Sequence, residues 1–157
     1  MGLPVEILLG YLLPFVLFAF FLTRILFGYR NKAKEMFARG DYEKGFTLGI
    51  KAPGMGKIES EPMRRVKQKI DKIDLQDIST LSWKERREIA TYLRYLAYKH
   101  PDCVDNLVHN GLLRSLMQKA KEEEDVRAMH VIRDASLSPA YRDIFREEIK
   151  KVLFKGG

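Results

Sequence analysis

Hydrophobic and polar positions divide this chain of 157 residues into two unequal parts. Leu3 to Phe27 reads LPVEILLGYLLPFVLFAFFLTRILF, and only Glu6 and Arg24 in it are charged. Ile7 to Thr23 is charge-free over 17 residues, about 25 Å of helix at the usual rise. With Leu3–Val5 and Ile25–Phe27 at its ends, the run matches a hydrocarbon core about 30 Å thick. Residues 1–29 are therefore predicted to hold one transmembrane helix. A cleavable secretory signal would need a basic start, a shorter apolar region and a small-residue cleavage site, and this segment has none of them. A mitochondrial presequence would be Arg- and Ser-rich and amphipathic, which this start is not. Glu6 stands where N-myristoylation needs Ser or Thr. Pro14 predicts a bend near the middle of the helix, and Gly10 would let a neighbouring helix approach.

Beyond Tyr29 the pattern changes. Apolar residues recur at helical rather than alternating spacing and strand-turn-strand signals are absent, so the class is all-α. The expected architecture is one N-terminal transmembrane helix followed by a small armadillo-like α-solenoid or helical bundle. Residues 30–50 read as a juxtamembrane helical hairpin: Ala33, Met36 and Phe37 keep a helical spacing, so the membrane helix is expected to continue through NKAKEMFARG, with Gly40-Asp41 as the stop and restart. Residues 51–61 (KAPGMGKIESE) read as a linker, broken by Pro53, Gly54 and Gly56. Residues 62–80 hold a basic helix opened by Pro62, with Val66, Ile70 and Ile73 on one face and Arg64, Arg65, Lys67, Lys69 and Lys72 around the rest. That basic surface is either a solvated face or a contact for lipid or an acidic partner. Residues 81–157 form a last helical unit. It opens on a capping box, Ser82 as N-cap and Glu85 three residues on.

Two stretches resemble known repeat families. Ala33–Ala52 (AKEMFARGDYEKGFTLGIKA) resembles the turn region of a tetratricopeptide hairpin, in which small residues such as Ala33 and Gly45 let two helices pack closely. Residues 83–154 resemble an armadillo repeat domain. A short first helix (CVDNLVHN) ends at Gly111, and a Leu-rich second helix carries Leu112, Leu113, Leu116 and Met117. An acidic turn leads to a third helix with Val126, Ala128, Val131, Ile132 and Ala135. Leu107 and Val108 belong to the same pattern. The resemblance implies a sharp corner at Gly111, where glycine tolerates positive φ. It also implies an incomplete stack: about one and a half repeats leave apolar ends for a partner to cover.

Charge and candidate chemistry refine this picture. The net charge is +7, and residues 30–74 hold 12 basic against 7 acidic residues. Arg24, Arg30, Lys32 and Lys34 directly follow the apolar run, so the positive-inside rule puts the C-terminal part on the cytoplasmic or matrix side. These four are the expected contacts for lipid headgroups, anionic ones included. No nucleic-acid motif accompanies the charge, so no nucleic-acid partner is expected. Cys103 is the one cysteine, which excludes an intrachain disulfide and leans towards a reducing compartment. The segment around Gly54, Gly56 and Lys57 fails as a Walker loop, because Lys51 and Ile58 occupy positions that need Gly and Ser or Thr. His100, Cys103 and His109 lack a fourth ligand and a zinc-like spacing; a helix-end histidine and a buried cysteine are expected instead. No catalytic, metal or cofactor residue is expected.

The expected function is therefore non-catalytic: a single-pass accessory subunit of a multi-subunit membrane complex, in a respiratory or ATP synthase assembly of the mitochondrial inner membrane, with its domain in the matrix. The alternative is a membrane-tethered armadillo-type adaptor that recruits a soluble partner to the mitochondrial outer membrane or endoplasmic reticulum. Trp83, Tyr92, Tyr95, Tyr98 and His130 are the candidate partner contacts, His130 in a groove or core position.

Overall fold

The computed structural model describes residues 5–54, 57–73, 78–104 and 106–154. Leu3 and Pro4, expected at the start of the apolar run, lie outside the described residues, as do the side chains of Leu107 and Val108. Among the described residues the chain is all-α, with no strand. Its helices are α1 (Val5–Ala38), α2 (Tyr42–Lys51), α3 (Lys57–Asp71), α4 (Trp83–Lys99), α5 (Asn106–Glu122), α6 (Val126–Ala135) and α7 (Pro139–Leu153). Short 3-10 turns at Ile78–Thr80 and Pro101–Cys103 lead into α4 and α5.

The expected membrane helix and the first helix of the hairpin are one element. α1 runs unbroken through Pro14 for 34 residues. Gly10 to Ile25 is exposed throughout, whereas Ala33 and Phe37 are buried in the core. The helix ends as its sequence expects. Gly40 adopts φ 75°, its N–H reaches Phe37 O, and the Asp41 N–H reaches Met36 O. This is the hydrogen-bond pattern of a Schellman stop. Asp41 then caps α2 by accepting from the Lys44 N–H.

The same corner recurs between α5 and α6. Glu124 adopts φ 54°, the Asp125 N–H reaches Ala120 O, and Asp125 caps α6 through the Ala128 N–H at 3.0 Å. α4 has the expected capping box: Ser82 and Glu85 satisfy each other's backbone N–H.

Side-chain contacts fix the helix directions. Phe37 meets Phe46 at a centroid distance of 5.0 Å, and Lys51 Nζ lies 5.6 Å from the Tyr29 ring, so α2 returns alongside α1. Phe46 meets Tyr92 and Tyr95, and Lys99 donates to Ala52 O, so α4 runs parallel to α2. Arg87 pairs with Asp125 and Arg94 with Asp134, so α6 runs parallel to α4. The layer α2, α4, α6 thus points back towards the apolar end of α1. α5 and α7 run the other way, with Arg114 bonded to Tyr141 and Lys121 to Glu148. The result is a stack of helical hairpins, with buried Phe46, Ile89, Leu113, Leu116, Met129 and Ile132 between its layers.

Three expectations are corrected. The basic helix begins at Lys57, not Pro62, inside the segment read as a linker. Pro62 sits one turn into α3 and is buried. Pro62 is the sixth residue of α3, so its missing N–H leaves the Ile58 carbonyl without a helical bond, and burial of the ring's apolar surface offsets that cost. No corner forms at Gly111: Asn106–Glu122 is one continuous helix. The chain turns at Pro101–Cys103, where Pro101 cannot continue α4. Finally, Cys103 is exposed on that turn rather than buried.

Candidate functional site

Two features of the fold bear on function: the junction between the apolar stretch and the domain, and the faces of the stack that stay open. At the junction α1 changes environment within about two turns. Phe27 is exposed, Tyr29 is half-buried against the core, and Ala33 is fully buried. Gly45 faces the Phe37 ring so closely that an added Cβ would lie 2.5 Å from it. No side chain fits between α1 and α2 there, which draws the two helices together. One helix of α1's length and composition is sufficient to cross a membrane.

The α4–α6 face is held by ions. Arg87 binds Asp125 in two-point fashion, with Nε–Oδ2 at 3.0 Å and Nη2–Oδ1 at 2.9 Å. Arg86 pairs with Glu123 beside it, and the Arg87 guanidinium lies 4.9 Å from the Trp83 ring centroid. Burial acts to raise the Asp125 pKa, yet Arg87, the Ala128 N–H and Arg127 together hold the carboxyl below its ordinary range. Arg127 in turn reaches Glu43 across to α2.

A cleft of about 300 Å³ opens between α3, α4 and α5, with Met63, Ile70, Leu93, Leu96 and Leu112 among its walls. Tyr92 and His109 line it as well. Burial pushes the Tyr92 phenol up to about 12. Burial also lowers the His109 pKa, against a hydrogen bond to Ala135 O at 2.8 Å that raises it. Since a carbonyl only accepts, Nε2 carries the proton. Among the described residues no group of three or more potential ligands is placed to hold a metal ion.

The candidate partner residues separate. Trp83 and Tyr98 are exposed, and His130 is exposed on α6 rather than in a groove or core. Tyr92 and Tyr95 are buried inside the core, at 4% and 0% exposure. A helix with tyrosines all round must turn some of them inward, and Phe46 of α2 claims these two. Arg24, Lys32 and Lys34 are exposed on α1, and Arg30 is half-buried. Sequence reasoning missed Lys51 and Lys99, whose placement depends on helix direction, and Ile144, Leu153 and Phe154, which are exposed on or next to α7. No family model matches this sequence, and neither curated proteins nor solved structures provide a match.

Proposed function

We propose that this protein is a non-catalytic, single-pass membrane subunit that holds a helical domain at fixed geometry against one membrane face, as an accessory part of a larger assembly. The observation that carries this reading is the continuity of α1. An exposed apolar helix from Gly10 to Ile25 needs a nonaqueous surrounding, and the same helix enters the domain core at Ala33 and Phe37 without an intervening linker. An adaptor that captures diffusing partners gains from a flexible tether; a stiff coupling suits a subunit built into a fixed frame.

The last helix of the stack supports the partner half of the reading. Ile144, Leu153 and Phe154 are more than half exposed, as expected where a solenoid lacks a polar cap. The setting we propose is a respiratory or ATP synthase complex of the mitochondrial inner membrane, with the domain in the matrix, on the strength of the basic flank after the span. Extraction in mild detergent followed by native electrophoresis tests the reading. The chain is expected in a high-mass assembly of an inner-membrane fraction, with cross-links from positions 144 and 154 to other subunits. Migration as a folded monomer after the same extraction would sink it.

A further inference from the structure

The two ends of the domain differ in how their cations are used. At the end far from the apolar stretch, Arg39 pairs with Glu35, Lys44 with Asp41, Arg86 with Glu123, Arg87 with Asp125 and Arg127 with Glu43. At the near end, Arg24, Arg30, Lys32 and Lys51 make no ion pair among the described residues. Arg30 Nε is buried with no hydrogen-bond partner among them. Among the described residues, Asp134 at this end is taken up by Arg94 and Arg133 and Asp143 by Arg146, while Asp102 is exposed on the turn after α4.

Height follows from helix register. Tyr29 and Arg30 lie about 3 and 4.5 Å beyond Phe27, and Lys32 about 7.5 Å, at the helical rise. The headgroup layer of one leaflet is about 5–7.5 Å thick. Because α2 returns alongside α1, Lys51 comes level with Tyr29, its Nζ 5.6 Å from that ring. Lys99, at the end of the parallel α4, donates to Ala52 O at 2.7 Å and adds its charge at the same level. Lys34, about 10 Å up by the same rise, lines a cleft with Phe37, Pro62 and Arg65 instead.

We propose that Arg30, Lys32 and Lys51, backed by Lys99, form a collar around the exit of α1 that binds the phosphate groups of anionic phospholipids. The collar rests on the reading of α1 as a membrane span. It is distinct from a generic basic flank because one of its members comes from the domain and reaches the surface only through the return of α2. Lipid phosphate supplies the anions that the chain withholds at this end. Binding there sets the tilt of the whole stack, since α2 is packed on α1 and α4 on α2.

The test uses the full chain reconstituted in vesicles of phosphatidylcholine, with or without phosphatidylglycerol. Alkaline carbonate washing first scores insertion, and the lipid retained after mild detergent extraction is then weighed by class. The expected result is enrichment of phosphatidylglycerol over phosphatidylcholine, which falls about fivefold for each cation removed in Lys32→Ala and Lys51→Ala. Lys44→Ala, at the far end, should leave it unchanged. Insertion without enrichment, or enrichment that survives the Lys32→Ala/Lys51→Ala double variant, overturns the collar and leaves the span intact. A chain removed by the carbonate wash overturns both. In the native membrane, carbodiimide cross-links from Lys51 to carboxylates of other proteins would assign the collar to an acidic partner and likewise overturn it.

Discussion

A Cβ built on Gly45 would lie 2.5 Å from Cδ1 and Cε1 of Phe37. The Phe37 ring packs against Phe46 and Tyr42, so a shift away from an added Cβ disturbs those ring contacts. This single contact sets how closely α2 approaches α1, and through Phe46 it sets where α4 sits. Gly45→Ala gains about 1 kcal/mol of helix propensity but loses about 1–3 kcal/mol to overpacking. A net fall in stability is expected in detergent-solubilised protein by thermal unfolding. Phe37→Leu should rescue Gly45→Ala in part, and the double-mutant cycle should report coupling between the two sites. Independent, additive effects would contradict this account.

Asp125 has two tasks at once, capping α6 and binding Arg87. Asp125→Ala should cost about 1 kcal/mol for the cap and about 1.5–3 kcal/mol for the charged hydrogen bonds. Asp125→Asn keeps much of the cap and should cost less. The carboxyl is held below its ordinary pKa, so it binds fewer protons folded than unfolded. Its contribution is therefore complete above about pH 3.9 and is lost as pH falls below that. Acid unfolding of the wild type and Asp125→Asn measures it.

His109 gives a second pH dependence, in a milder window. Its pKa is lowered chiefly by burial, so the folded state keeps it neutral with Nε2–H on Ala135 O. The unfolded chain takes up a proton near its ordinary pKa of about 6.5. Stability should be full above that value and decline as pH falls through 6.5 towards the lower folded value, from about pH 7 downward. His109→Gln keeps a donor and removes the titration, so its stability should be flat across that window. His109→Leu leaves the Ala135 carbonyl unmet and should lose about 1–3 kcal/mol at every pH.

Glu124 occupies the left-handed region that Gly40 occupies at the equivalent corner. A non-glycine residue there costs about 1–2 kcal/mol. Glu124→Gly is expected to raise stability by about 0.5–1 kcal/mol after the extra unfolded-state entropy of glycine is deducted. Gly40→Ala should lower it by a similar amount. Chemical denaturation of the two variants, read as midpoint shifts at constant slope, checks both signs.

Much of the local structure was legible in the sequence. The apolar run, the Gly40-Asp41 stop, the Ser82–Glu85 capping box and the acidic turn before α6 each rest on a few adjacent residues, whose preferences are local. Pro62 and Gly111 misled for the opposite reason. Pro62 lies inside α3 and Gly111 inside α5, and in each case burial of neighbouring apolar surface outweighs the local preference. The likeness between the two corners, with Asp41 and Asp125 in the same role, was hidden because Gly40 and Glu124 reach the same backbone conformation with different side chains.

The tyrosines of α4 show where the division falls. Sequence alone determined that this chain carries a helix apolar enough for a membrane, that the remainder is helical, and where α2, α4 and α6 begin, because hydrophobic periodicity and capping act within a turn or two. Only the tertiary structure decided that Tyr92 and Tyr95 face inward while Tyr98 faces out, that Lys51 comes level with Tyr29, and that Ala33 and Phe37 at the end of α1 are buried in the core. Those facts depend on how helices pair across tens of residues, and pairing is set by shape complementarity of the kind between Gly45 and Phe37, which no single segment contains.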